Sequence, residues 1–207
     1  MILYNNIQWV HLEISTRCNA NCPDCPRNLR GVVVPEIASA YPLVDMKLSQ
    51  AQTIFTESFL KQINGILING NHGDFVTAQD GVEIIEYFLT ANPKLHIQIN
   101  TNASARPKIW ERLGELGIQV DFRIDGLKDT HHLYRQNTDF DFILDNARKF
   151  ISAGGRAVWM LDGFVPKKVS DEYIERILDA EGDALVDATG FGLRTNGHFF
   201  YVINLFS

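Results

Sequence analysis

Cysteine is scarce in this chain, and the places where it occurs narrow the possible chemistry. The 207 residues include three cysteines, at positions 18, 22 and 25. One disulfide cannot satisfy three thiols, and Cys22 and Cys25 are too close in sequence for easy bridging. Free thiols clustered in this way are typical of a reducing compartment, so we predict a cytoplasmic protein.

Long apolar runs and an excess of basic charge are also missing from the sequence. No apolar run approaches the roughly 20 residues of a membrane span, and the N-terminus lacks the residue order of a signal peptide. The formal net charge is −6 and the sequence pI is about 5.5. Such a chain lacks the excess positive charge that favours non-specific binding to nucleic acid or to an anionic membrane. We therefore expect a soluble protein with neither a membrane nor a nucleic acid as its partner.

The chain has enough hydrophobic residues to form one sizeable core. Hydrophobic residues make up 45% of the 207 residues, and two full domains would be unusual at this length. We predict that residues 1–207 form a single domain.

The three cysteines have the spacing C-x3-C-x2-C and follow directly on an apolar run. Thiolates this close favour one soft metal centre, which selects zinc, copper(I) or iron–sulfur. A structural zinc site normally has four protein ligands, whereas a cubane iron–sulfur cluster can take three cysteines and keep one iron open. An incomplete zinc knuckle completed by His11 or His72, or three unrelated thiols, remains an alternative at this point.

Strand-like and helix-like segments alternate about six times along the chain. Helices are predicted from Ser49 through Ile63, after a cap at Thr77, from Pro107 to Gly117, from Asp139 or Asp141 to Ile151, and after Ser170. The predicted strands are residues 7–14, 65–69, 95–100, 118–125, 157–161, and either 184–188 or 191–195. The apolar segment 199–206 is either a last strand or a segment that caps the barrel.

This alternation predicts an α/β fold with a parallel sheet and right-handed crossovers. Six units are too few to close an eight-fold barrel. We therefore predict an open (β/α)6 partial TIM-type barrel, with a flat doubly wound sheet as the second choice. Ligands of such folds lie beyond the carboxyl ends of the strands. Four segments fall at such ends and are expected to share one site: the loop 15–30, 70–74, 100–102 and 125–126.

With the cysteine triplet in a loop after the first strand, the chain resembles the radical S-adenosylmethionine (radical SAM) superfamily. The resemblance implies that Cys18, Cys22 and Cys25 hold a 4Fe–4S cluster whose open iron chelates S-adenosylmethionine. It also implies electron delivery by a flavodoxin- or ferredoxin-type reductant, reductive cleavage to a 5′-deoxyadenosyl radical, and hydrogen abstraction from a substrate. No cysteine follows Cys25, so the expected form is short and lacks the auxiliary-cluster C-terminal domain of many relatives.

Two further segments resemble cofactor-binding parts of the family. Gly70-Asn71-His72-Gly73-Asp74 occupies the place of a Gly-Gly-Glu-Pro-like motif that binds the amino group of the methionyl moiety, although Phe75 stands where proline is common. Glycine lets a main chain approach a ligand without a Cβ in the way. Asn100 and Asn102 share a strand face and match the polar end of the third strand, which reaches the cofactor in relatives.

The fourth strand, Val-Asp-Phe-Arg-Ile-Asp-Gly-Leu from residue 120, resembles Phe-Ser-Ile-Asp-Gly-Leu in the family. Arg123 replaces the serine, and it is either a partner of the cofactor carboxylate or a structural partner of Asp125. Asp24 stands where many relatives carry an aromatic residue near adenine, so only its backbone is expected to meet the adenine edge. Gly163 is expected to help complete the adenine pocket.

The function predicted from these features is that of a radical SAM enzyme acting on an unidentified peptide or small molecule. The segment 128–135, Lys-Asp-Thr-His-His-Leu-Tyr-Arg, matches relatives that modify peptides, and His131 or His132 is a candidate to line the site. The alternative is an iron–sulfur or zinc binding module without turnover. In that case Asp24, Phe75 and Arg123 would reflect a lost cofactor site.

Overall fold

The structure is a computed structural model that describes residues 4–29, 32, 34, 35, 39 and 42–163. It also describes the backbone of three strands beyond residue 185, and the backbone alone at residues 161–163. The predicted helix after Ser170 lies outside the described residues.

Five parallel strands form the centre of one sheet in the order β1-β2-β3-β4-β5. They are β1 (Trp9–Leu12), β2 (Gly65–Ile68), β3 (His96–Thr101), β4 (Gln119–Arg123) and β5 (Arg156–Gly163). The connecting helices are α1 (Leu48–Ile54), α2 (Glu57–Gln62), α3 (Gly81–Ala91), α4 (Trp110–Glu115), α5 (His131–Tyr134) and α6 (Phe140–Ser152). The α/β class and the open partial barrel of parallel strands are thereby confirmed.

The two faces of the sheet differ in chemistry because side chains alternate along each strand. On β3, Ile97 and Ile99 are buried, whereas Gln98 and Asn100 on the opposite face are only partly buried. The apolar face packs against the helices, and Phe122 of β4 lies 5.5 Å from Trp110 of α4 and 5.8 Å from Phe150 of α6 between ring centroids. The helices therefore cover one face, and the polar face lines the inside of the partial barrel.

Two helix predictions were wrong in detail. The segment from Ser49 to Ile63 forms two helices, α1 and α2, because Thr56 begins a second helix by accepting a hydrogen bond from the Phe59 N–H at 3.4 Å. Thr77 does not cap a long helix but ends a 3₁₀ turn, Phe75–Thr77, which Asp74 caps. α3 begins only at Gly81, after Asp80.

The strand beside β5 runs antiparallel to it, unlike the sixth parallel strand that we predicted. This strand, β8 (His198–Leu205), falls on the closing apolar segment. Parts of the two predicted sixth-strand segments are β6 (Val186–Asp187) and β7 (Leu193–Thr195), which pair antiparallel with β8. The apolar content of residues 199–206 left a last strand and a capping segment both open; the structure shows a strand, antiparallel to β5.

His131 is a buried histidine of the core and does not line the site. Its side chain is 1% exposed, its Nε2 is hydrogen-bonded to the Thr138 hydroxyl at 2.9 Å, and its ring meets Phe140 edge-on. Burial lowers its pKa to about 4, and the charges of Arg135 and His132 act in the same direction. His132 is exposed.

This burial predicts a pH-dependent stability. A folded-state pKa of about 4 lies below the unfolded value of about 6.5, so the folded protein binds fewer protons than the unfolded chain between these values. The contribution of His131 is therefore complete above about pH 6.5 and is lost as pH falls toward 4, by on the order of 3 kcal/mol. In His131→Gln, urea unfolding between pH 7 and 4 should show a flatter loss of stability. His132→Gln is the matched control and should keep the wild-type slope; an unchanged slope in both variants contradicts the assignment.

Candidate active site

The loop that carries the cysteines is held against the carboxyl end of the sheet by several polar contacts. The Asn21 N–H donates to the Gln136 carbonyl at 3.0 Å. The Asn19 side chain donates to the Ser104 carbonyl at 3.2 Å and accepts from Asn102 Nδ2 at 2.9 Å. These bonds tie the loop to the segments that follow β3 and α5, so its position depends on the tertiary fold.

One cavity of about 320 Å³ lies under this loop, and all three cysteines line it. The segments that end β2, β3 and β4 supply much of the remaining wall, as parallel strands predict. Its lining residues are Cys18, Ala20, Cys22, Asp24, Cys25, Pro26, Arg27, Gly70, Asn71, Gly73, Asp74, Asn100, Thr101, Asn102, Arg123, Tyr134 and Arg135.

Cys18 and Cys22 lie in an environment that disfavours a negatively charged thiolate unless a cation compensates it. Burial raises the pKa of Cys18 to about 12, and the nearby Asp74 carboxylate adds to the rise. Burial also raises the pKa of Cys22, although Arg135 acts in the opposite direction. Asn102 Nδ2 lies 3.7 Å from Cys18 Sγ, and Arg135 Nη1 lies 3.6 Å from Cys22 Sγ. Two donors are thus directed at sulfur atoms that a metal would hold as thiolates.

The donor set suits a cluster of several irons. Within the described part of the chain, no three His, Cys, Asp or Glu side chains are grouped as ligands of a single metal ion. A cubane does not require its ligands to meet at one atom, because each thiolate binds a different iron. Three free thiols around one cavity, with cationic and amide donors directed at two of the sulfurs, fit such a group.

The Gly70–Asp74 loop forms the wall of the cavity beyond β2. Steric constraints explain why positions 70 and 73 are occupied by glycine. Gly70 has φ of +137°, a conformation that residues with a Cβ rarely adopt. A Cβ on Gly73 would collide with the Ser15 carbonyl, so this glycine permits close packing of the loop against the chain after β1. Arg27 fixes the same loop by donating to the carbonyls of Thr16 and His72.

Asp74 is buried and joins the glycine loop to the end of β3. Its Oδ1 accepts from the Thr101 hydroxyl at 2.6 Å and the Val76 N–H at 3.1 Å, and its Oδ2 accepts from the Asn102 N–H at 2.8 Å. Burial raises the pKa of this carboxyl, while the three hydrogen bonds oppose the rise. Asp74 therefore braces the wall of the cavity.

Arg123 and Asn100 meet across β3 and β4. Arg123 Nη2 donates to Asn100 Oδ1 at 2.9 Å, and both side chains line the cavity. This bond orients the guanidinium of Arg123 at the wall of the cavity.

Asp125, by contrast, forms an ion pair with Arg135, a residue that we did not predict. The side chains are 7% and 12% exposed, respectively, and Arg135 also approaches Cys22. Tyr134 and Arg135 are the last residues of the segment 128–135. We singled out this segment for its resemblance to relatives, but named only its histidines as candidates to line the site. Thr101 was missed as well, because a strand threonine has no distinctive pattern.

Most of the predicted site residues are brought together around the cavity. Among the fully described residues, two are not part of its wall: His72, whose backbone bonds to Glu13 and Arg27, and Asp125. The structure describes only the backbone of Gly163, at the end of β5. The predicted residues that line the cavity are Cys18, Cys22, Cys25, Asp24, Gly70, Asn71, Gly73, Asp74, Asn100, Asn102 and Arg123.

The fold and the cavity define a partial α/β barrel with a cysteine-bearing loop over the carboxyl ends of its strands. The sequence model of the Radical SAM superfamily matches residues 12–180. The chain therefore belongs to the radical SAM superfamily of enzymes. No curated protein matches it significantly.

Solved structures of low sequence identity share the fold. Native anSMEcpe with bound AdoMet is 15% identical, with a TM-score of 0.66 over 93% of this chain and 56% of that one. Streptococcus suis SuiB bound to S-adenosylmethionine is 16% identical, with a TM-score of 0.62 over 84% of this chain and 37% of that one. SuiB bound to precursor peptide SuiA is 15% identical, with a TM-score of 0.61 over 84% of this chain and 36% of that one. This chain thus spans 36% to 56% of the length of these proteins.

The buried ion pair predicts a specific stability change. Arg135→Met removes the guanidinium and leaves the Asp125 carboxylate buried without this partner, so the free energy of unfolding should fall by about 3–5 kcal/mol. Urea unfolding of the protein without added metal or cofactor measures it. Lys128→Met is the control, because the Lys128–Asp141 pair is 73% and 62% exposed, and its loss should leave stability nearly unchanged. Equal effects of the two substitutions would show that the Asp125–Arg135 pair is not a stabilising contact.

Proposed function

We propose that this chain is the catalytic domain of a radical SAM enzyme that abstracts hydrogen from an unidentified substrate. The observation that carries the proposal is one cavity lined by three thiols, a glycine loop and the polar ends of β3 and β4. Residues 1–207 are proposed to form one domain, in which residues 15–30 are the cluster-binding loop. When bound, the 4Fe–4S cluster would pass one electron from a flavodoxin- or ferredoxin-type reductant to S-adenosylmethionine, giving methionine and the 5′-deoxyadenosyl radical.

In this proposal Cys18, Cys22 and Cys25 hold the cluster as thiolates. Because burial raises the pKa of Cys18 and Cys22, both thiols keep their protons at neutral pH until metal replaces them. The contacts of Asn102 and Arg135 with the sulfur atoms support thiolate charge once it forms. The loop residues thus hold the ligands, and the barrel supplies compensating polarity.

The segments beyond the strands are proposed to bind S-adenosylmethionine. The loop Gly70–Asp74 would receive the amino group, with His72 contributing backbone geometry. Arg123 would bind the carboxylate, with its orientation fixed by Asn100. The backbone at Asp24 would meet the adenine, and Gly163 is retained as a proposed neighbour of that ring. Asp125 would act through Arg135.

The substrate is proposed to be a peptide or a small molecule. The segment 128–135 resembles peptide-modifying relatives, and a structure of this fold, SuiB, holds a precursor peptide. No helix in the described part of the chain is long and apolar enough to cross a membrane.

The cluster assignment is tested by replacing each cysteine with alanine. Anaerobic reconstitution with iron and sulfide should give the wild-type protein a visible iron–sulfur absorption, and dithionite should then yield 5′-deoxyadenosine from S-adenosylmethionine. Each of Cys18→Ala, Cys22→Ala and Cys25→Ala should lose both iron and product while keeping its circular dichroism, because the loop lies outside the core.

Leu29→Ala is the control within the same loop, since Leu29 is 59% exposed, and it should retain iron. Full iron content in all three cysteine variants would overturn the assignment. A reconstituted cluster without 5′-deoxyadenosine would instead identify a binding module without turnover.

Arg123 is tested separately. Arg123→Met removes a charge-assisted contact worth about 1.5–3 kcal/mol, so the affinity of the reconstituted protein for S-adenosylmethionine should fall roughly ten- to a hundred-fold in calorimetry. The cofactor-free variant should melt close to the wild-type temperature, because Arg135 still pairs with Asp125. Arg148→Met, on the exposed side of α6, should change neither value. A large drop in melting temperature with intact affinity would make Arg123 a structural residue.

A further inference from the structure

Glu13 lies one residue after β1, and its carboxylate binds the backbone of the glycine loop. Oε1 accepts from the Asn71 N–H at 2.9 Å, and Oε2 accepts from the His72 N–H at 3.3 Å. The Asn69 side-chain amide adds a contact with Oε2 at 3.4 Å. One carboxylate therefore receives two consecutive backbone N–H groups and a side-chain amide.

The loop is bent so that these donors converge. Asn69 and Gly70 both have positive φ, at 59° and 137°, and the backbone N–H groups of the next two residues, Asn71 and His72, both reach the Glu13 carboxylate. Asn71 and His72 are exposed residues, yet their amides are bonded to the carboxylate. On the outer side, His11 Nε2 lies 3.1 Å from Glu13 Oε1.

This arrangement decides where the carbonyl groups of the loop point. In a planar trans peptide the N–H of one residue points opposite to the C=O of the residue before it. Since the N–H groups of Asn71 and His72 face Glu13, the carbonyls of Gly70 and Asn71 face away from it. Gly70 and Asn71 line the cavity, whereas Glu13 lies outside its lining.

The two carbonyls also have capacity to accept a ligand. Within residues 4–29 and 42–163, no donor is bonded to the carbonyl of Gly70 or Asn71, whereas the next carbonyl, that of His72, accepts from Arg27. Both residues line the cavity, and two adjacent carbonyl acceptors suit a cation that carries several N–H groups.

We propose that Glu13 is a positioning residue that holds the Gly70 and Asn71 carbonyls toward the cavity, as acceptors for the ammonium group of S-adenosylmethionine. The inference rests on the proposed function of this cavity, but its structural part concerns the loop alone. Glu13 touches neither the cofactor nor the reacting atoms in this proposal, and it acts through the backbone that it binds.

The structural part is tested by hydrogen exchange of backbone amides in the cofactor-free protein. In the wild type, the Asn71 and His72 amides should exchange slowly despite their exposure. In Glu13→Gln, whose amide group presents N–H to one of them, at least one should exchange about tenfold faster or more. Glu83→Gln, an exposed glutamate on α3, is the matched control. Unprotected wild-type amides would overturn the proposal even if Glu13→Gln failed to fold.

The ligand part is tested with two compounds that differ in the amino-acid moiety. Affinity of the reconstituted Glu13→Gln protein for S-adenosylmethionine should fall about tenfold, while affinity for 5′-methylthioadenosine, which lacks the ammonium group, should stay the same. An equal loss for both compounds would overturn the positioning role. If the wild type binds neither compound while its two amides are protected, the proposed function fails and the bond between Glu13 and the loop stands.

Discussion

The carboxylate of Asp74 is the contact on which the geometry of the candidate site depends. A buried carboxylate is tolerated when hydrogen bonds satisfy it, and Asp74 obtains three, from Val76, Thr101 and Asn102. Two of these donors belong to the end of β3 and the residue after it, and Asn102 in turn contacts Cys18 and Asn19. The glycine loop, the third strand and the cysteine loop are therefore held in one arrangement.

Charge is distributed around this centre so that the cavity can accept a multiply charged group. Asp74 and the cysteines line the cavity, and burial keeps Cys18 and Cys22 protonated. Arg123, Arg135 and Arg27 line the same cavity, and each is oriented by a protein acceptor. Fixed cations of this kind stabilise bound anions without reorganisation when the ligand arrives.

The Glu13 contact and the Asp74 contact act on opposite ends of the same five residues. Glu13 binds the N–H groups of Asn71 and His72, while Asp74 anchors the C-terminal end of the loop to β3. Between them Gly70 and Gly73 supply the conformation and the close approach that a Cβ would prevent. The loop is therefore shaped before any ligand binds, which lowers the cost of ordering it on binding.

The sequence by itself determined the parallel strands, the family and most of the cavity wall. The spacing of hydrophobic residues along the chain predicts strands and helices locally. Because the carboxyl ends of parallel strands meet at one edge of the sheet, the sequence also places Gly70, Asn100 and Arg123 near the cysteines. The tertiary structure decided the direction of β8, the Asp125–Arg135 pair and the bond between Glu13 and the loop. These depend on contacts between residues distant in sequence, and a single side-chain identity does not specify which of several opposite charges or donors will lie within reach.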